Sequence, residues 1–253
     1  MRGKVFLVGA GPGPADLLTL RAVRVLQNAD VVLHDALVSR EFLEFVPAAA
    51  TVLDVGKRCH QAGTPQPTLN QLMIEFARAG KRVVRLKCGD PAIFGRLGEE
   101  MDALRDAGIE FEIVPGITAA LAAAAAAQIS LTKRRLAHRL VFATATLAGE
   151  RRQRWDEIVL PNTTVVVYMP GPDYHALAAE LLAAGIGAEL PCAIVSRAGG
   201  RDEAVTITTV GELQESPAAP APAVLLIGEV VADAQVSLSR DVSFLQEVIA
   251  TAS

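Results

Sequence analysis

The stretch from Arg82 to Glu100, RVVRLKCGDPAIFGRLGEE, decides the fold class of this chain. Its apolar, β-branched beginning predicts a buried strand, and Gly89-Asp90-Pro91 ends that strand in a tight loop. The acidic pair Glu99-Glu100 then opens a helical pattern. A strand, a tight loop and a helix start are typical of open α/β sheets, in which strand ends present backbone groups to a ligand.

Three other stretches also have the pattern expected of a loop at a strand end. They are Gly9-Ala10-Gly11-Pro12-Gly13, His34-Asp35-Ala36-Leu37-Val38 and Pro115-Gly116-Ile117-Thr118-Ala119-Ala120. The second of them follows a predicted strand directly, and its polar side chains are therefore expected at the carboxyl-terminal edge of the sheet, where ligands bind.

The first half of the chain alternates between strand and helix patterns. Strands are predicted at Lys4 to Gly9, Val31 to His34, Thr51 to Val55, Arg82 to Lys87 and Phe111 to Val114. The apolar spacing of Leu69, Leu72, Met73 and Phe76 predicts a helix between the third and fourth strands. Continuous apolar strands separated by helices predict a largely parallel sheet that is covered on both faces.

The pattern changes after the alanine-rich helix predicted at Ala119 to Ala127. Strands are then predicted at Arg139 to Thr144, Thr163 to Met169, Pro191 to Val195, Val205 to Thr209 and Val224 to Ile227. The last strands follow one another without room for long helices, which predicts an antiparallel edge. We therefore expect two α/β domains: residues 1–130 with a largely parallel sheet, and residues 131–253 with a mixed sheet.

Composition excludes several classes of protein. The 253 residues are 51% hydrophobic and 21% charged, which excludes global disorder. The net charge of -4 argues against an electrostatic nucleic-acid binder. The uncharged stretch Ile113 to Thr132 contains Pro115 and Gly116 and is rich in alanine, so we do not expect it to cross a membrane.

The cysteines favour a reducing compartment. Cys59, Cys88 and Cys192 are odd in number and form no CxxC pair, so neither a disulfide framework nor a structural zinc site is expected. The apolar run Val5 to Val8 is too short for the core of a signal peptide. The sequence therefore predicts a cytoplasmic protein.

The first glycine cluster only partly matches a dinucleotide-binding loop. That motif requires a third glycine where this chain has Pro14, and Pro12 removes a backbone donor. Asp35, about 20 residues downstream, has the position of a ribose-binding acid. An NAD-dependent oxidoreductase therefore stays as an alternative.

Taken together, the four stretches resemble the tetrapyrrole methylases, from about Lys4 to about Val231. Asp35 and Lys57 carry the resemblance to the branch that acts on uroporphyrinogen III, because they lie in segments similar to its Tyr-Asp-x-Leu-Val and Gly-Lys-Arg patterns. The resemblance implies a methyltransferase that uses S-adenosylmethionine, binds it in the cleft between two domains, and forms a homodimer.

The resemblance also implies a set of donor-binding residues. Gly89-Asp90 matches the family's Gly-Gly-Asp, whereas Cys88 stands in place of its first glycine and adds a side chain where backbone approaches ligand. Ala198 likewise stands where the family has glycine. The expected donor contacts are Pro12, Cys88, Gly89, Asp90, Ile93, Thr118, Ala119, Met169 and Ala198.

The reaction implied by the resemblance needs a proton acceptor and cations. A methylated pyrrole carbon must lose a proton, and a carboxylate with nearby cationic groups suits that step; the candidates are Asp35, Lys57 and Arg96. The eight carboxylates of the acceptor require further partners. The candidates for these contacts are Arg58, Thr132, Lys133 and Arg134, the last three in a segment similar to the family's Leu-Thr-His-Arg.

The resulting expectation is C-methylation of uroporphyrinogen III to precorrin-2 via precorrin-1, in sirohaem or cobalamin synthesis, without a metal. Departures from the family pattern at Cys88, Lys133, Ala145 and Thr146 leave two alternatives open. One is a related methylase that acts on a later precorrin. The other is a protein that binds the donor without turnover.

Overall fold

A computed structural model describes residues 3–56, 64–146 and 153–234. Its first half contains five strands and the helices between them. In chain order these are β1 (Lys4–Gly9), α1 (Leu20–Leu26), β2 (Val31–His34), β3 (Thr51–Asp54), α2 (Gln66–Arg78), β4 (Arg82–Lys87), α3 (Leu97–Asp106), β5 (Phe111–Val114) and α4 (Ala119–Ala126).

The first sheet is parallel throughout. Its strand order is β3-β2-β4-β1-β5, and every neighbouring pair runs in the same direction. Alternate residues of each strand face opposite sides. Phe6, Val8 and Leu86 therefore pack in the cluster that contains α1, whereas Val5 and Leu7 pack in the cluster that contains α2 and α3. The predicted parallel sheet covered on both faces is confirmed.

The second sheet is mixed. Its elements are β6 (Arg139–Thr144), α5 (Trp155–Ile158), β7 (Thr163–Tyr168), α6 (Tyr174–Ala183), β8 (Pro191–Ser196), β9 (Ala204–Thr209) and β10 (Ala223–Ile227). The strand order is β6-β7-β10-β8-β9, in which β6 and β7 are parallel and the other neighbours are antiparallel. The predicted antiparallel part of this sheet is confirmed, because short connections between β8, β9 and β10 permit antiparallel pairing.

Helix α4 joins the two halves through packing. Its alanines lie in one core cluster with Val166, Tyr168 and Val195 of the second sheet. Alanine favours helix and has a small side chain, so it lets a helix approach a sheet closely. The sequence places α4 before residue 131, yet the helix buries its side chains against the sheet that follows. The division at residues 130 and 131 stays a prediction.

Candidate functional site

Three glycines bring the ends of β1, β4 and β5 together. A Cβ on Gly9 would lie 2.6 Å from the Cα of Gly116, and a Cβ on Gly116 would lie 2.3 Å from the carbonyl oxygen of Gly89. Gly89 also exchanges two backbone hydrogen bonds with Gly11, at N···O distances of 2.7 and 3.2 Å. Only glycine permits this approach, so these strand ends form one rigid backbone surface.

A cavity between the two sheets lies against that surface, and we call it the inter-sheet cavity. It has a volume of about 750 Å³ including its open mouth. Its lining residues are Pro12, Leu37, Cys88, Gly89, Asp90, Ile93, Phe94, Thr118, Ala119, Tyr168, Met169, Val195, Ala198, Pro222, Ala223 and Val224. All nine residues that the sequence predicted as donor contacts are among them. The structure therefore brings together residues that are up to 186 positions apart, from Pro12 to Ala198.

Asp90 holds two loops of the cavity wall. Its Oδ1 accepts a hydrogen bond from the backbone N–H of Ala92 at 2.8 Å, and its Oδ2 accepts one from the N–H of Gly116 at 3.0 Å. A carboxylate has about four acceptor sites, so these two bonds leave capacity for a ligand. Asp90 is therefore both the turn former that an Asp-Pro pair predicts and a carboxylate on the cavity wall.

Cys88 lies on the cavity wall without backbone strain. Its φ is not in the left-handed region, whereas that of Gly89 is +67°. The family's glycine can therefore be replaced at this position without a conformational penalty. Burial and, secondarily, the charge of Asp35 raise the pKa of the Cys88 thiol to about 11. The side chain is a neutral thiol at physiological pH.

Thr118 does not cap α4 with its own side chain. It occupies the N-cap position, but its Oγ1 hydrogen-bonds the hydroxyl of Tyr168 instead. The hydroxyl of Tyr168 also accepts a hydrogen bond from the backbone N–H of Ala120 at 3.2 Å. A side chain of the second sheet thus satisfies one free N–H at the start of α4.

Two lining residues have left-handed backbone conformations. Phe94 has a φ of 51° and Met169 a φ of 50°, and neither is glycine. Both are also large apolar side chains that remain 42% and 48% exposed. Strained, exposed apolar residues are uncommon, and they concentrate at sites where the surrounding structure holds them for a function.

A group of four charged side chains, three of them buried, adjoins the cavity. Arg85 forms an ion pair with Asp35 and donates to Glu100 Oε1 at 2.9 Å, and Lys87 donates to the same oxygen at 2.8 Å. Arg85, Lys87 and Glu100 are at most 4% exposed, whereas the side chain of Asp35 is 30% exposed. Burial, followed by the neighbouring charge of Arg85, lowers the pKa of Lys87. The network fixes the Asp35 carboxylate and leaves one part of it open to solvent.

Five of the predicted catalytic and acceptor residues do not line the inter-sheet cavity: Asp35, Arg96, Thr132, Lys133 and Arg134. Arg96 forms a two-pronged ion pair with Glu99, with both N···O distances at 2.7 Å. Lys133 pairs with Asp233 on the surface. Thr132 and Arg134 are exposed. Lys57 and Arg58 lie outside the described residues.

Several lining residues were not predicted as site residues. Leu37 and Phe94 lie inside motifs that the sequence analysis quoted, so their position beside Asp35 and Ile93 was an available signal. Tyr168 precedes Met169 directly and was likewise close to a predicted residue. Val195 and the segment Pro222 to Val224 carry no such signal, because strand pairing alone brings them to the cavity.

The described residues contain neither a metal-binding cluster nor a helix that could cross a membrane. No group of three or more His, Cys, Asp or Glu side chains in residues 3–56, 64–146 and 153–234 is arranged to hold a metal ion. None of the helices in these ranges has the length and apolar character needed to cross a membrane.

Known proteins are similar to this chain over nearly all of its length. Siroheme synthase 1 of Pectobacterium atrosepticum is 46% identical over 232 residues, which are 91% of this chain and 48% of that protein. The siroheme synthase of Hahella chejuensis is 44% identical over 233 residues, which are 90% of this chain and 50% of that protein. The chain thus spans about half the length of the curated relatives it matches.

Solved structures match over nearly their full length. The uroporphyrin-III C-methyl transferase of Thermus thermophilus, complexed with S-adenyl homocysteine, has a TM-score of 0.78 at 37% identity, over 90% of this chain and 93% of that one. A cobalt precorrin-4 methyltransferase has a TM-score of 0.78 at 30% identity, over 90% of this chain and 95% of that one. The family model for Tetrapyrrole (Corrin/Porphyrin) Methylases matches residues 4–214, and this chain belongs to that family.

Proposed function

We propose that this chain is an S-adenosylmethionine-dependent C-methyltransferase that converts uroporphyrinogen III to precorrin-2 via precorrin-1, in sirohaem or cobalamin synthesis. One observation carries the proposal: nine residues predicted from family motifs line a single cavity at the carboxyl ends of parallel strands. Ligands of open α/β sheets bind at this edge. The similarity to a uroporphyrin-III C-methyl transferase at 37% identity supports the choice of acceptor.

The cavity wall fits S-adenosylmethionine chemically. Asp90 offers a carboxylate for the ammonium group, and the backbone at Gly89 and Ala119 offers polar groups for the carboxylate and ribose. Ile93, Met169 and neighbouring apolar residues offer a slot for adenine. When bound, this donor supplies an electrophilic methyl group on a sulfonium centre.

Asp35 is the group proposed to take the proton that the methylated pyrrole ring must lose. Its carboxylate is partly exposed, and it is close enough to Cys88 on the cavity wall to raise the pKa of that thiol. Arg85 holds it from the buried side. A base at a fixed position near the reacting ring lowers the barrier to proton transfer.

Two of the proposed catalytic and acceptor residues, Arg96 and Lys133, are surface cations that can change partners. Arg96 and Lys133 are 62% and 49% exposed in their ion pairs with Glu99 and Asp233. Such exposed pairs contribute only about 0–1 kcal/mol, so a carboxylate of the acceptor can replace either acidic partner. Thr132, Arg134 and Arg58 are the further proposed acceptor contacts, and Lys57 is proposed to act with Asp35 and Arg96 near the reacting ring.

A second candidate acceptor follows from a departure from the family pattern at Thr146. Thr146 replaces a family histidine, and its Oγ1 donates to the carbonyl oxygen of Met169 at 3.3 Å. This departure therefore lies beside the cavity mouth. A related methylase that acts on a later precorrin is the second candidate, supported by the similarity to cobalt precorrin-4 methyltransferase.

We also propose a homodimer in the cytoplasm. Leu20, Ile113 and Leu121 are 75%, 40% and 53% exposed, and Ile113 lies on the edge strand β5. Arg21, next to Leu20, pairs with Glu112, next to Ile113, so these exposed residues belong to neighbouring elements. Grouped exposed apolar residues mark interaction surfaces, and we propose a second copy as the partner. Sedimentation of the wild type and of a Leu20→Glu, Leu121→Glu double variant tests this proposal. We expect a dimer and a monomer respectively; a monomeric wild type contradicts it.

The function is tested in two steps. Calorimetric titration with S-adenosylhomocysteine should give micromolar or tighter affinity, whereas NAD and NADP should not bind measurably. Anaerobic turnover with uroporphyrinogen III should then yield products that carry one and two additional methyl groups by mass spectrometry. Donor binding without turnover of any precorrin indicates a binding protein, and NAD binding alone indicates an oxidoreductase.

A further inference from the structure

Tyr168 occupies a position that the proposed chemistry does not use. It is the last residue of β7, lies on the wall of the inter-sheet cavity, and is 8% exposed. Burial raises the pKa of its hydroxyl, which therefore stays protonated across the physiological range. A hydroxyl that keeps its proton cannot act as the base that takes a proton from the methylated ring, and its two hydrogen bonds at the start of α4 point to a role through its contacts.

The hydroxyl of Tyr168 holds the start of α4. It hydrogen-bonds Thr118 Oγ1 and accepts from the backbone N–H of Ala120. Ala119 lies between Thr118 and Ala120 in the chain, and both Thr118 and Ala119 line the cavity. The segment belongs to the chain that precedes the second sheet, whereas Tyr168 belongs to that sheet. The hydroxyl therefore sets the position of one cavity wall relative to the other.

The ring of Tyr168 supports a second segment of the wall. Its centroid lies 4.9 Å from that of Phe94 at an interplanar angle of 53°, and 5.8 Å from that of Phe142 at 60°. Tilted aromatic pairs at these distances are favourable. Phe94 has a left-handed backbone, and the ring contact helps to hold it in that conformation.

We propose that Tyr168 is a positioning residue of the methyl-donor site: its hydroxyl places Thr118 and Ala119, and its ring places Phe94, against the bound donor. The inference rests on the proposed function, because it assigns S-adenosylmethionine to the inter-sheet cavity. It predicts that the hydroxyl affects donor binding through Thr118 and not by direct contact with the donor.

The test compares two Tyr→Phe variants. Tyr168→Phe keeps the ring and removes the hydroxyl that pairs with Thr118 and Ala120. Tyr174→Phe is the matched control, because Tyr174 is 2% exposed and its hydroxyl has no hydrogen-bond partner among the described residues. Tyr168→Phe should weaken S-adenosylhomocysteine binding about tenfold, since Thr118 loses the buried hydrogen bond that positions it against the donor. It should raise the donor KM more than it lowers kcat, whereas Tyr174→Phe should leave both within twofold.

A double-mutant cycle with Thr118→Val identifies the route of the effect. If Tyr168 acts through Thr118, the double variant should bind S-adenosylhomocysteine no more weakly than the weaker single variant. Additive losses overturn the positioning role, as does unchanged affinity in Tyr168→Phe. If Tyr168→Phe does not fold, Thr118→Val breaks the same hydrogen bond and must show the same weakening. A wild type that binds no S-adenosylhomocysteine contradicts the proposed function instead.

Discussion

Asp90 and Gly116 connect the ends of two strands that are not neighbours in the sheet. Asp90 follows β4, Gly116 follows β5, and β1 lies between these strands. The Asp90 Oδ2 nevertheless accepts a hydrogen bond from the Gly116 N–H at 3.0 Å. This contact is possible because glycines at the strand ends bring the loops within reach, and it makes one carboxylate a structural part of the cavity wall.

Replacing Asp90 should therefore weaken donor binding. In Asp90→Asn, one oxygen is replaced by an amide NH₂ group that must face the N–H of either Ala92 or Gly116, so one hydrogen bond of the cavity wall is lost. We expect S-adenosylhomocysteine affinity to fall about tenfold. Asp102→Asn is the control, because Asp102 is 72% exposed in its pair with Arg105 and should have no effect. Equal affinities of the two variants in calorimetry would remove Asp90 from the site.

Cys88 should react slowly with thiol reagents and more slowly still with ligand bound. A pKa of about 11, against an ordinary value of 9.0, lowers the thiolate fraction at neutral pH roughly a hundredfold. The alkylation rate should rise as pH approaches 11. Saturating S-adenosylhomocysteine should slow it further, because Cys88 lines the proposed donor cavity.

Peptide mapping by mass spectrometry separates the Cys88 signal from those of the other cysteines. Cys192, which is fully buried with a pKa raised to about 12, is an internal control that should show no ligand effect. Cys88→Gly should keep or improve donor affinity, at a cost of ~0.5–1 kcal/mol in stability. Labelling of Cys88 that ignores the ligand would contradict the placement of Gly89, Asp90 and Ile93 in the donor site.

Asp35→Asn should lower turnover and spare donor binding. The amide cannot take a proton from the methylated ring, so kcat should fall by about 10²-fold or more. S-adenosylhomocysteine affinity should stay within twofold, because Asp35 does not line the cavity. Lys57→Ala, outside the described residues, should behave likewise. Steady-state kinetics decides the case: an unchanged kcat would assign Asp35 to the ion pair with Arg85 alone.

Glu99→Gln and Glu100→Gln should lower the free energy of unfolding by very different amounts. Glu100 is fully buried between Arg85 and Lys87, so Glu100→Gln leaves two buried cations with less compensation. We expect a loss of about 3–5 kcal/mol in the free energy of unfolding. Glu99→Gln breaks an exposed pair with Arg96 and should cost less than about 1 kcal/mol.

The loss of unfolding free energy caused by Glu100→Gln should also depend on pH. The pKa of Lys87 is lowered in the folded state, chiefly by burial. The unfolded chain therefore binds more protons below the ordinary pKa of 10.5, and stability from this group rises with pH through that window. Urea unfolding at pH 7 and pH 9.5 should show a smaller deficit at the higher pH. A constant deficit would mean that Lys87 stays charged throughout.

Gly116→Ala should disrupt the strand ends. Its Cβ would lie 2.3 Å from the Gly89 carbonyl oxygen. Neither the Gly116 backbone nor the Gly89 backbone can move away independently. We expect a loss of at least about 2–3 kcal/mol, comparable to other severe packing clashes. Gly98→Ala is the control, because a Cβ there meets nothing within 4 Å and alanine favours helix α3. Thermal denaturation that ranks the two variants equally would contradict the packing argument.

The strands and the motif residues could be predicted because their causes are local. β4 follows from the apolar run before Gly89, and its end follows from Gly-Asp-Pro, within one segment of the chain. The convergence of nine motif residues on one cavity was predictable only through the family resemblance. Spacing by itself does not bring Pro12 near Ala198.

The contacts between the two halves were not predictable in the same way. The sequence predicted Thr118 as a donor contact but not the hydrogen bond between its hydroxyl and Tyr168, 50 positions away. It predicted Lys133 as an acceptor contact but not its ion pair with Asp233, 100 positions away. The division at residues 130 and 131 does not anticipate that α4 packs against the later sheet.

By itself, the sequence determined the order of strands and helices, the glycine-rich strand ends and the types of chemical group available to a ligand. These depend on backbone preferences and on the alternation of apolar residues, which act over a few positions. The tertiary structure decided which charges are buried together, which side chain caps α4 and where the cavity lies. Those outcomes depend on burial and on hydrogen-bond partners that the chain brings together only when both sheets have formed, since a buried polar group must find its partner wherever packing places one.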